Sequence, residues 1–489
     1  MLSVFTIPLW LKEAALRWPD RCWLKAGGTS LTFAEGWKRV QRTAGGLQAA
    51  GVVSGDRVLI VAENSIEPVV MFFATMLANG TAVMLHPQIK PEGLERIVAQ
   101  TEPRAAFLDS KTAALSEVFG EVQVFNAQTS LPDGAFQPLA PSLGTPAFLV
   151  FTSGSTGTPR GVMLMHDGVR FVCDAIQARL QYVEDDRVGV FLPLSFDVGL
   201  YQLFFALMRG CSIYLGRPEM AGPELTRVLS AEDITILPAV PTLLAGLVKM
   251  QRFRPTSLPA LRVITSTGDH LAQSHILELR KLFPQTSAFP MYGLTECKRV
   301  SILLPEELDQ KPGSVGRALD GTEVFAMDPA GNRLQAGQTG ELGITGPHLA
   351  AGYWRADDET AKRYRELDGQ RVLFSGDFGH VDEEGFIYLS GRADFIIKHR
   401  GFRMSPAEIE EAACTLPGIT NAGCIKDEKG GQLWLFIASA AEIEPQTVRK
   451  ELSLKLEPAK VPDIIRVLPQ LPYTANQKVD RKALRSMLA

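Results

Sequence analysis

The chain has 489 residues, of which 46% are hydrophobic and 21% charged, and its formal net charge is −4. Since one hydrophobic core rarely supports such a length, at least two domains are expected. The charge balance, without any Lys/Arg-rich run, disfavours a general attraction to nucleic acid or to an anionic membrane. Six scattered cysteines with no Cys-x-x-Cys pair argue against a zinc cluster or a disulfide framework and fit a reducing cytoplasm.

Neither the N-terminal stretch nor the most apolar internal run is typical of export or membrane insertion. Lys12 and Glu13 interrupt the N-terminal apolar stretch too early for a secretory signal. The internal run, residues 234–248, is broken by Pro238 and Pro241, so no membrane span is predicted. We therefore expect a cytoplasmic protein with neither a nucleic-acid nor a membrane partner.

Helical and strand-like patterns alternate over residues 30–150. Residues 57–62 (RVLIVA), 82–85 and 105–108 have the composition of buried strands, and residues 69–77 and 94–100 show helical spacing between them. This alternation predicts a mostly parallel sheet that is covered on both faces. Further along, residues 165–180 are predicted to be helical, and residues 188–192 and 261–268 have strand-like patterns.

Residues 151–163 (FTSGSTGTPRGVM) follow a strand-like run at residues 147–152 and combine small, hydroxylated and glycine residues with one cation, Arg160. Glycine lets the backbone turn sharply and lets its N–H groups approach a ligand, and hydroxyl groups donate further hydrogen bonds. The segment therefore predicts a polyphosphate-binding loop, with a plain surface loop of the same composition as the alternative. It lacks the Gly-Lys-Ser/Thr ending of a Walker loop.

The string TSGSTGTPRGV resembles the phosphate-binding signature of the adenylate-forming enzymes. These include acyl-CoA synthetases, luciferases and the adenylation domains of nonribosomal peptide synthetases. They usually have Lys where this chain has Arg160, which keeps the charge but replaces a point charge with a planar fork. The resemblance implies that ATP is contacted by Thr152, Ser153, Gly154, Ser155, Thr156, Gly157 and Arg160.

Residues 291–296 (MYGLTE) match a second signature of the same superfamily, in the expected order after the glycine-rich loop. Tyr292 can stack on a base, and Thr295 can bond a phosphoryl or carboxylate oxygen. Glu296 is a hard oxygen ligand suited to Mg²⁺. The resemblance makes Thr295 and Glu296 candidate catalytic residues.

Three further segments extend the match along the chain. Residues 340–354 (GELGITGPHLAAGYW) fit in order, and residues 373–379 (LFSGDFG) imply that Asp377 grips the ribose hydroxyls. Considered locally, Asp377 fits a Gly-Asp hairpin turn equally well. In residues 391–394 (GRAD), Arg392 is implied to contact the ribose and phosphate. The loop after residues 261–266 is implied to lie near the adenine through Thr267, Gly268 and Asp269.

The resemblance also implies the domain organisation. The fold class is expected to be a large α/β N-terminal domain with mixed, mostly parallel sheets and a small mobile α+β C-terminal domain. The core is assigned to residues 1–391, a hinge containing Asp394 to residues 392–394, and a lid to residues 395–489. In the lid, residues 472–481 (PYTANQKVDR) resemble an Asn-Gly-Lys-Val-Asp-Arg segment, which makes Lys478 the implied catalytic lysine. Gln477 replaces the usual glycine, and by itself Lys478 reads as a surface lysine.

The candidate substrate pocket is organised around Asp197, an acid among apolar residues. It is either an exposed turn or N-cap residue or, as the peptide-synthetase resemblance implies, a carboxylate that binds a substrate ammonium. Lys298 and Arg299 are either a solvated pair or a binding site for a second carboxylate, which would indicate an acidic amino acid. The remaining implied pocket residues are Val198, Tyr201, Thr242, Thr265, Thr267, Met291 and Val300.

The function implied by the resemblance is a two-step ligation. ATP with Mg²⁺ activates a small amino or imino acid as aminoacyl-AMP, and the acyl group then passes to a thiol. Because no carrier-domain sequence follows Arg481, the thiol is expected on the phosphopantetheine of a separate carrier protein, or on CoA. Two alternatives stay open: an acyl-CoA synthetase for an acid without an amine, and a non-catalytic nucleotide-binding protein.

Overall fold

A computed structural model of the chain describes residues 6–126, 130–140, 142, 144–153, 159–269, 271, 273–392, 397–399, 402–404, 406–427, 430–439, 443–474 and 478–488. Residues discussed above that lie outside these ranges are Gly154, Ser155, Thr156, Gly157, Asp394 and Gln477. Within the described ranges no helix is both long and apolar enough to cross a membrane.

The helices begin and end close to the sequence-based expectations. Helix α3 starts three residues earlier than predicted, because Pro68 is tolerated in a first helical turn. Helix α2 starts with a capping box, in which Thr32 Oγ1 accepts from the Glu35 N–H and Glu35 accepts from the Thr32 N–H. The helices are α1 (Ile7–Arg17), α2 (Phe33–Ala49), α3 (Ile66–Leu77), α4 (Pro91–Thr101), α5 (His166–Leu180), α6 (Asp197–Arg209), α7 (Leu225–Ala231), α8 (Pro241–Phe253), α9 (Gln273–Leu282), α10 (Asp357–Arg363), α11 (Pro406–Cys414), α12 (Pro445–Ser453) and α13 (Arg481–Arg485).

The strands are β1 (Cys22–Ala26), β2 (Thr29–Thr32), β3 (Arg57–Val61), β4 (Thr81–Leu85), β5 (Ala105–Leu108), β6 (Gln123–Phe125), β7 (Phe148–Ser153), β8 (Pro159–Leu164), β9 (Arg187–Val190), β10 (Ser212–Leu215), β11 (Ile236–Ala239), β12 (Val263–Ser266), β13 (Ser287–Tyr292), β14 (Ser301–Ile302), β15 (Ser314–Ala318), β16 (Glu323–Met327), β17 (Gly340–Thr345), β18 (Tyr364–Leu367), β19 (Gln370–Val381), β20 (Phe386–Arg392), β21 (Ile397–His399), β22 (Phe402–Met404), β23 (Ile419–Lys426), β24 (Leu433–Ser439) and β25 (Ile464–Leu468).

A six-stranded sheet in the order β6-β5-β3-β4-β7-β8 carries the glycine-rich segment. Its first five strands are parallel, and β8 returns antiparallel to β7. Phe148 at the start of β7 packs against Phe72 of α3 and Tyr201 of α6, with ring centroids 5.4 and 6.3 Å apart. The strand that leads into the glycine-rich segment therefore shares a core with the helix that carries Asp197.

A fourteen-stranded sheet carries the other sequence signatures. Its strands from β1 through β10, β9, β11 and β12 to β13 are parallel, and the strands from β14 onward pair antiparallel. The sheet is therefore mixed, as expected. Because β12 and β13 are parallel neighbours, their C-terminal ends meet at one edge, which brings the residues after Ser266 beside Tyr292.

The C-terminal part of the chain forms a compact α+β unit. Strand β24 pairs antiparallel with β23 and parallel with β25. Buried apolar residues of these strands form a core of their own with α11 and α12. Strand β23 also contacts α8 of the core, so the unit packs beside the edge where β11 and β12 end.

Candidate active site

Tyr292 and Asp377 meet at the end of β13. The Tyr292 hydroxyl donates to Asp377 Oδ2 at 2.6 Å, and both side chains are buried. Burial and the neighbouring carboxylate raise the pKa of Tyr292. Asp377 lies inside β19, in register with Arg392 of β20, so the interpretation of Asp377 as a hairpin-turn residue is wrong.

Glu296 follows in the turn after β13, next to Thr295, and both are half-buried. Its Oε1 accepts a hydrogen bond from the Tyr353 hydroxyl at 2.6 Å, and its carbonyl accepts from the Ala350 N–H at 2.8 Å. Burial, with the nearby Glu296, raises the pKa of Tyr353, so the phenol remains a donor. A half-buried carboxylate is a donor group that fits Mg²⁺.

Arg160 emerges from β8 opposite Thr152, its register partner in β7. Its Nη2 lies 2.7 Å from Glu359 Oε2 of α10, and its guanidinium lies 5.6 Å from the centre of the Tyr353 ring. The planar fork is thus already engaged with a carboxylate and an aromatic face. Arg160, the cation of the glycine-rich segment, therefore lies next to Tyr353, the partner of Glu296.

Lys478 reaches the core from the C-terminal unit. Its Cε lies 3.9 Å from the position that a Cβ on Gly268 would occupy. Its backbone N–H donates to Thr474 Oγ1 at 3.2 Å, and its side chain is exposed. Gly268 follows β12, and the exposed Asp269 comes next. The chain therefore brings a lysine from its far end to the predicted adenine segment.

Asp197 is the first residue of α6 and is only 6% exposed. Phe196 occupies the N-cap position, so the exposed-turn and N-cap interpretations of Asp197 are wrong. The Lys298 ammonium lies 3.4 Å from Asp197 Oδ2 and donates to the Asp197 carbonyl at 2.8 Å. It also lies 4.4 Å from the centre of the Tyr201 ring. A cation of the chain itself thus partners the carboxylate that the resemblance assigned to a substrate ammonium.

Lys298 and Arg299 are 3% and 5% exposed, so the interpretation of them as a solvated pair is wrong. Burial lowers the pKa of Lys298 to about 8, and Asp197 limits the fall. Arg299 donates to Thr267 Oγ1, while its Nε has no hydrogen-bond partner among the described residues. Burial likewise lowers the pKa of Arg299. The site therefore holds two buried cations against one carboxylate.

The backbone explains how two consecutive cations both point inward. Lys298 has a φ of +62°, the left-handed conformation, and the Val300 N–H returns to donate to the Tyr292 carbonyl. A Cβ on Gly293 would collide with the Lys298 carbonyl, so this tight turn needs glycine there. The sequence signal for the turn is the unusual Lys-Arg pair directly after the MYGLTE segment.

The other residues expected in the pocket differ in how closely the structure connects them to it. Tyr201 and Thr267 contact the buried cations directly. Val198, Thr265 and Met291 are buried on α6, β12 and β13, and Val300 is buried in the turn after β13. Thr242 lies half-buried in the first turn of α8. The Arg392 and Ser153 side chains are outside the described part of the structure.

Comparison with known proteins decides the family. Residues 11–354 match the family described as AMP-binding enzyme, which covers well over half of the chain. The chain belongs to the AMP-binding enzyme family. All signatures from the glycine-rich segment through the GPHLAAGYW stretch lie inside the matched residues. The predicted membership of the adenylate-forming enzymes is thereby confirmed.

Several known proteins are similar to this chain at modest sequence identity. Surfactin synthase subunit 2 of Bacillus subtilis (strain 168) is 27% identical over 97% of this chain, which spans 14% of that protein. O-succinylbenzoate CoA synthetase (MenE) of Bacillus subtilis, solved with the acyl-adenylate OSB-AMP, is 25% identical with a TM-score of 0.87, covering 99% of each chain. VinN, solved with L-aspartate, is 29% identical with a TM-score of 0.72, covering 79% of this chain and 98% of its own.

Residues that were not expected lie around Glu296 and Arg160. Tyr353, the partner of Glu296, lies in the GPHLAAGYW stretch, for which the sequence predicted no role of the tyrosine. Glu359 and Arg363 lie on α10, a short charged helix with no distinguishing pattern. The only signal available for Glu359 and Arg363 was their position between two matched signatures.

Proposed function

We propose that this AMP-binding enzyme activates a small amino acid that carries a second carboxylate, of the size of aspartate. It forms the aminoacyl-AMP with release of pyrophosphate and passes the acyl group to the phosphopantetheine thiol of a separate carrier protein. The observation that carries the proposal is the burial of Asp197, Lys298 and Arg299 in one pocket.

The charges of the pocket favour this substrate class. Asp197 has two oxygens, so it can accept a substrate ammonium while it remains paired with Lys298. A neutral amino acid would bring its ammonium to two buried cations and a single carboxylate, and the excess positive charge would cost free energy. A second carboxylate on the substrate reduces that excess by one charge and forms charge-assisted hydrogen bonds with Lys298 and Arg299. VinN, which was solved with L-aspartate, supports the same class.

In the adenylation step, a carboxylate oxygen of the substrate bonds to the α-phosphorus of ATP and the bond to pyrophosphate breaks. Lys478, beside Gly268, would neutralise the charge that grows between the reactants. Arg160 would hold the leaving phosphates, and Asp377 and Arg392 the ribose. Glu296 would bind Mg²⁺, which would offset phosphate charge. Catalysis then consists of positioning and charge stabilisation, without a covalent enzyme intermediate.

For the second step, we assign residues 1–391 to the core, residues 392–394 to a hinge and residues 395–489 to a lid that carries Lys478. Rotation at Asp394 would withdraw Lys478 and admit the thiol. The resemblance to peptide-synthetase adenylation domains favours a carrier protein as the thiol donor. The likeness to MenE keeps CoA as the second candidate acceptor.

A pyrophosphate-release assay with a panel of acids tests the proposal. We expect L-aspartate to be preferred over L-asparagine, which has the same shape without the charge, and over succinate, which lacks the amine. Equal rates with asparagine would contradict the role of the two cations. Activity only with acids that lack an amine would favour the acyl-CoA synthetase alternative, and no turnover with any acid would favour a non-catalytic protein. Product analysis with a carrier protein and with CoA then identifies the acceptor.

A further inference from the structure

Arg363, the last residue of α10, lies against the backbone that precedes Asp377. Its Nη2 donates to the Ser375 carbonyl at 2.5 Å. Its Nη1 lies 2.7 Å from the position that a Cβ on Gly376 would occupy, and Gly376 has a φ of +70°. Only glycine both adopts this backbone conformation readily and leaves room for the guanidinium. The glycine of the Ser-Gly-Asp string is therefore required by Arg363 as well as by the local turn.

The same guanidinium also lies near the partner of Glu296. The Arg363 guanidinium interacts electrostatically with Glu296 and Tyr353, and the Tyr353 hydroxyl donates to Glu296 Oε1 at 2.6 Å. One side chain thus connects the carboxylate proposed to bind Mg²⁺ with the strand that carries the carboxylate proposed to bind the ribose. Two carboxylates held near each other need a cation between them, because like charges repel strongly when partly buried.

We propose that Arg363 is a positioning residue for adenylation, which fixes Tyr353 and Glu296 on one side and the Ser375–Gly376 backbone before Asp377 on the other. The inference rests on the proposed nucleotide roles of the two carboxylates and is independent of which acid is activated. Burial opposes the charge of Arg363, but Glu296, Tyr353 and Asp377 outweigh it and raise the pKa of Arg363. The guanidinium is therefore charged at any pH at which the enzyme would be assayed.

Arg363→Gln tests the inference, with Lys362→Gln as the matched control. Lys362 is the preceding residue of α10, carries the same charge and is 69% exposed. We expect Arg363→Gln to raise the KM for ATP at least tenfold and to raise the Mg²⁺ concentration needed for half-maximal rate, with the KM for the carboxylic acid changed less than twofold. Lys362→Gln should leave all three within twofold of the unaltered enzyme.

Two measurements separate this role from a structural one and from the proposed substrate. Equilibrium binding of ATP, measured with and without Mg²⁺ and with no acid present, should weaken at least tenfold in Arg363→Gln. Arg363→Lys, which keeps the charge but loses the fork, should fold normally and recover part of that binding. Unchanged ATP binding in Arg363→Gln, or equal increases in both KM values, would overturn the inference. If Arg363→Gln does not fold, Arg363→Lys decides, and ATP binding equal to that of the unaltered enzyme overturns it. Failure of the aspartate proposal would leave the ATP-binding result unaffected.

Discussion

Replacing Lys298 with methionine is expected to reverse the preference between aspartate and asparagine. The ammonium of Lys298 is 3% exposed and is shared between Asp197 and the face of Tyr201. If it also binds the second carboxylate of the substrate, its removal deletes one charge-assisted hydrogen bond, worth about 1.5–3 kcal/mol. The corresponding fall in kcat/KM for L-aspartate is roughly 10- to 150-fold. The kcat/KM for L-asparagine should not fall, and the ammonium of this substrate should gain access to Asp197.

The same substitution has a second, separable effect on stability. Burial lowers the pKa of Lys298 from 10.5 to about 8, a shift equivalent to about 3 kcal/mol against the folded state wherever the lysine is charged in both states. Methionine removes that penalty but also removes the partner of Asp197, so the two changes oppose each other. We expect the free energy of unfolding to change by less than about 2 kcal/mol, which urea titration checks. A folded variant makes the kinetic comparison interpretable.

The pH dependence gives the assay its sharpest readout. Lys298 loses its charge as pH rises through about 8, so the preference of the unaltered enzyme for L-aspartate should decline above that pH. In Lys298→Met, the ratio of kcat/KM for the two acids should be flat between pH 7 and pH 9, where neither substrate changes its side-chain charge. Equal losses with aspartate and asparagine, or an unaltered pH profile in the variant, would refute a role of Lys298 in recognition.

Other expected outcomes concern the rest of the site and the core. Lys478→Ala should lower the rate of adenylation by a factor of about 100 or more with an unchanged melting temperature, because the side chain is exposed. Arg160→Lys should retain most activity if charge alone holds the phosphates, whereas loss of activity similar to that of Arg160→Met would show that the fork is used. His166 accepts a hydrogen bond from the Ile7 N–H, and burial lowers its pKa to about 4. The contribution of neutral His166 to stability is complete above the pKa of the unfolded chain, near 6.5, and falls as pH approaches 4. The free energy of unfolding should therefore drop by about 2 kcal/mol between pH 7 and pH 5 because of this group. His166→Gln should reduce that drop in urea titrations at the two pH values.

Local sequence patterns predicted the secondary structure well, because each pattern depends on neighbours a few residues away. The strand Ala105–Leu108 has the predicted bounds, and the helix His166–Leu180 begins one residue later than predicted and ends where expected. The pattern before the glycine-rich segment also predicted the strand that leads into it. The antiparallel half of the large sheet was less evident, since short strands such as Ser301–Ile302 have too few residues to show a period.

The contacts that determine the chemistry of the pocket were not predictable in the same way. Asp197 and Lys298 are 101 residues apart, and only the packing of α6 against the turn after β13 brings them together. Local patterns left Asp197 open between a cap role and a pocket role, and Lys298 between a surface role and a pocket role, because isolated charges are common at caps and on surfaces. A buried ion pair between distant segments has no sequence period. The pocket was therefore suggested by the resemblance alone, and the resemblance did not suggest that Lys298 partners Asp197.

The arrangement around β12 also supports the proposed small substrate. Thr267 accepts a hydrogen bond from Arg299, and the next residue, Gly268, lies against Lys478. Consecutive Cα atoms are about 3.8 Å apart, so Arg299 and Lys478, which come from different parts of the chain, approach two adjacent residues. One cation belongs to the substrate pocket and the other to the proposed reaction centre. An acid with two carboxylates on a short spacer can meet both cations at once, whereas a long chain would have to fold back on itself, and this favours aspartate-sized substrates over longer acids.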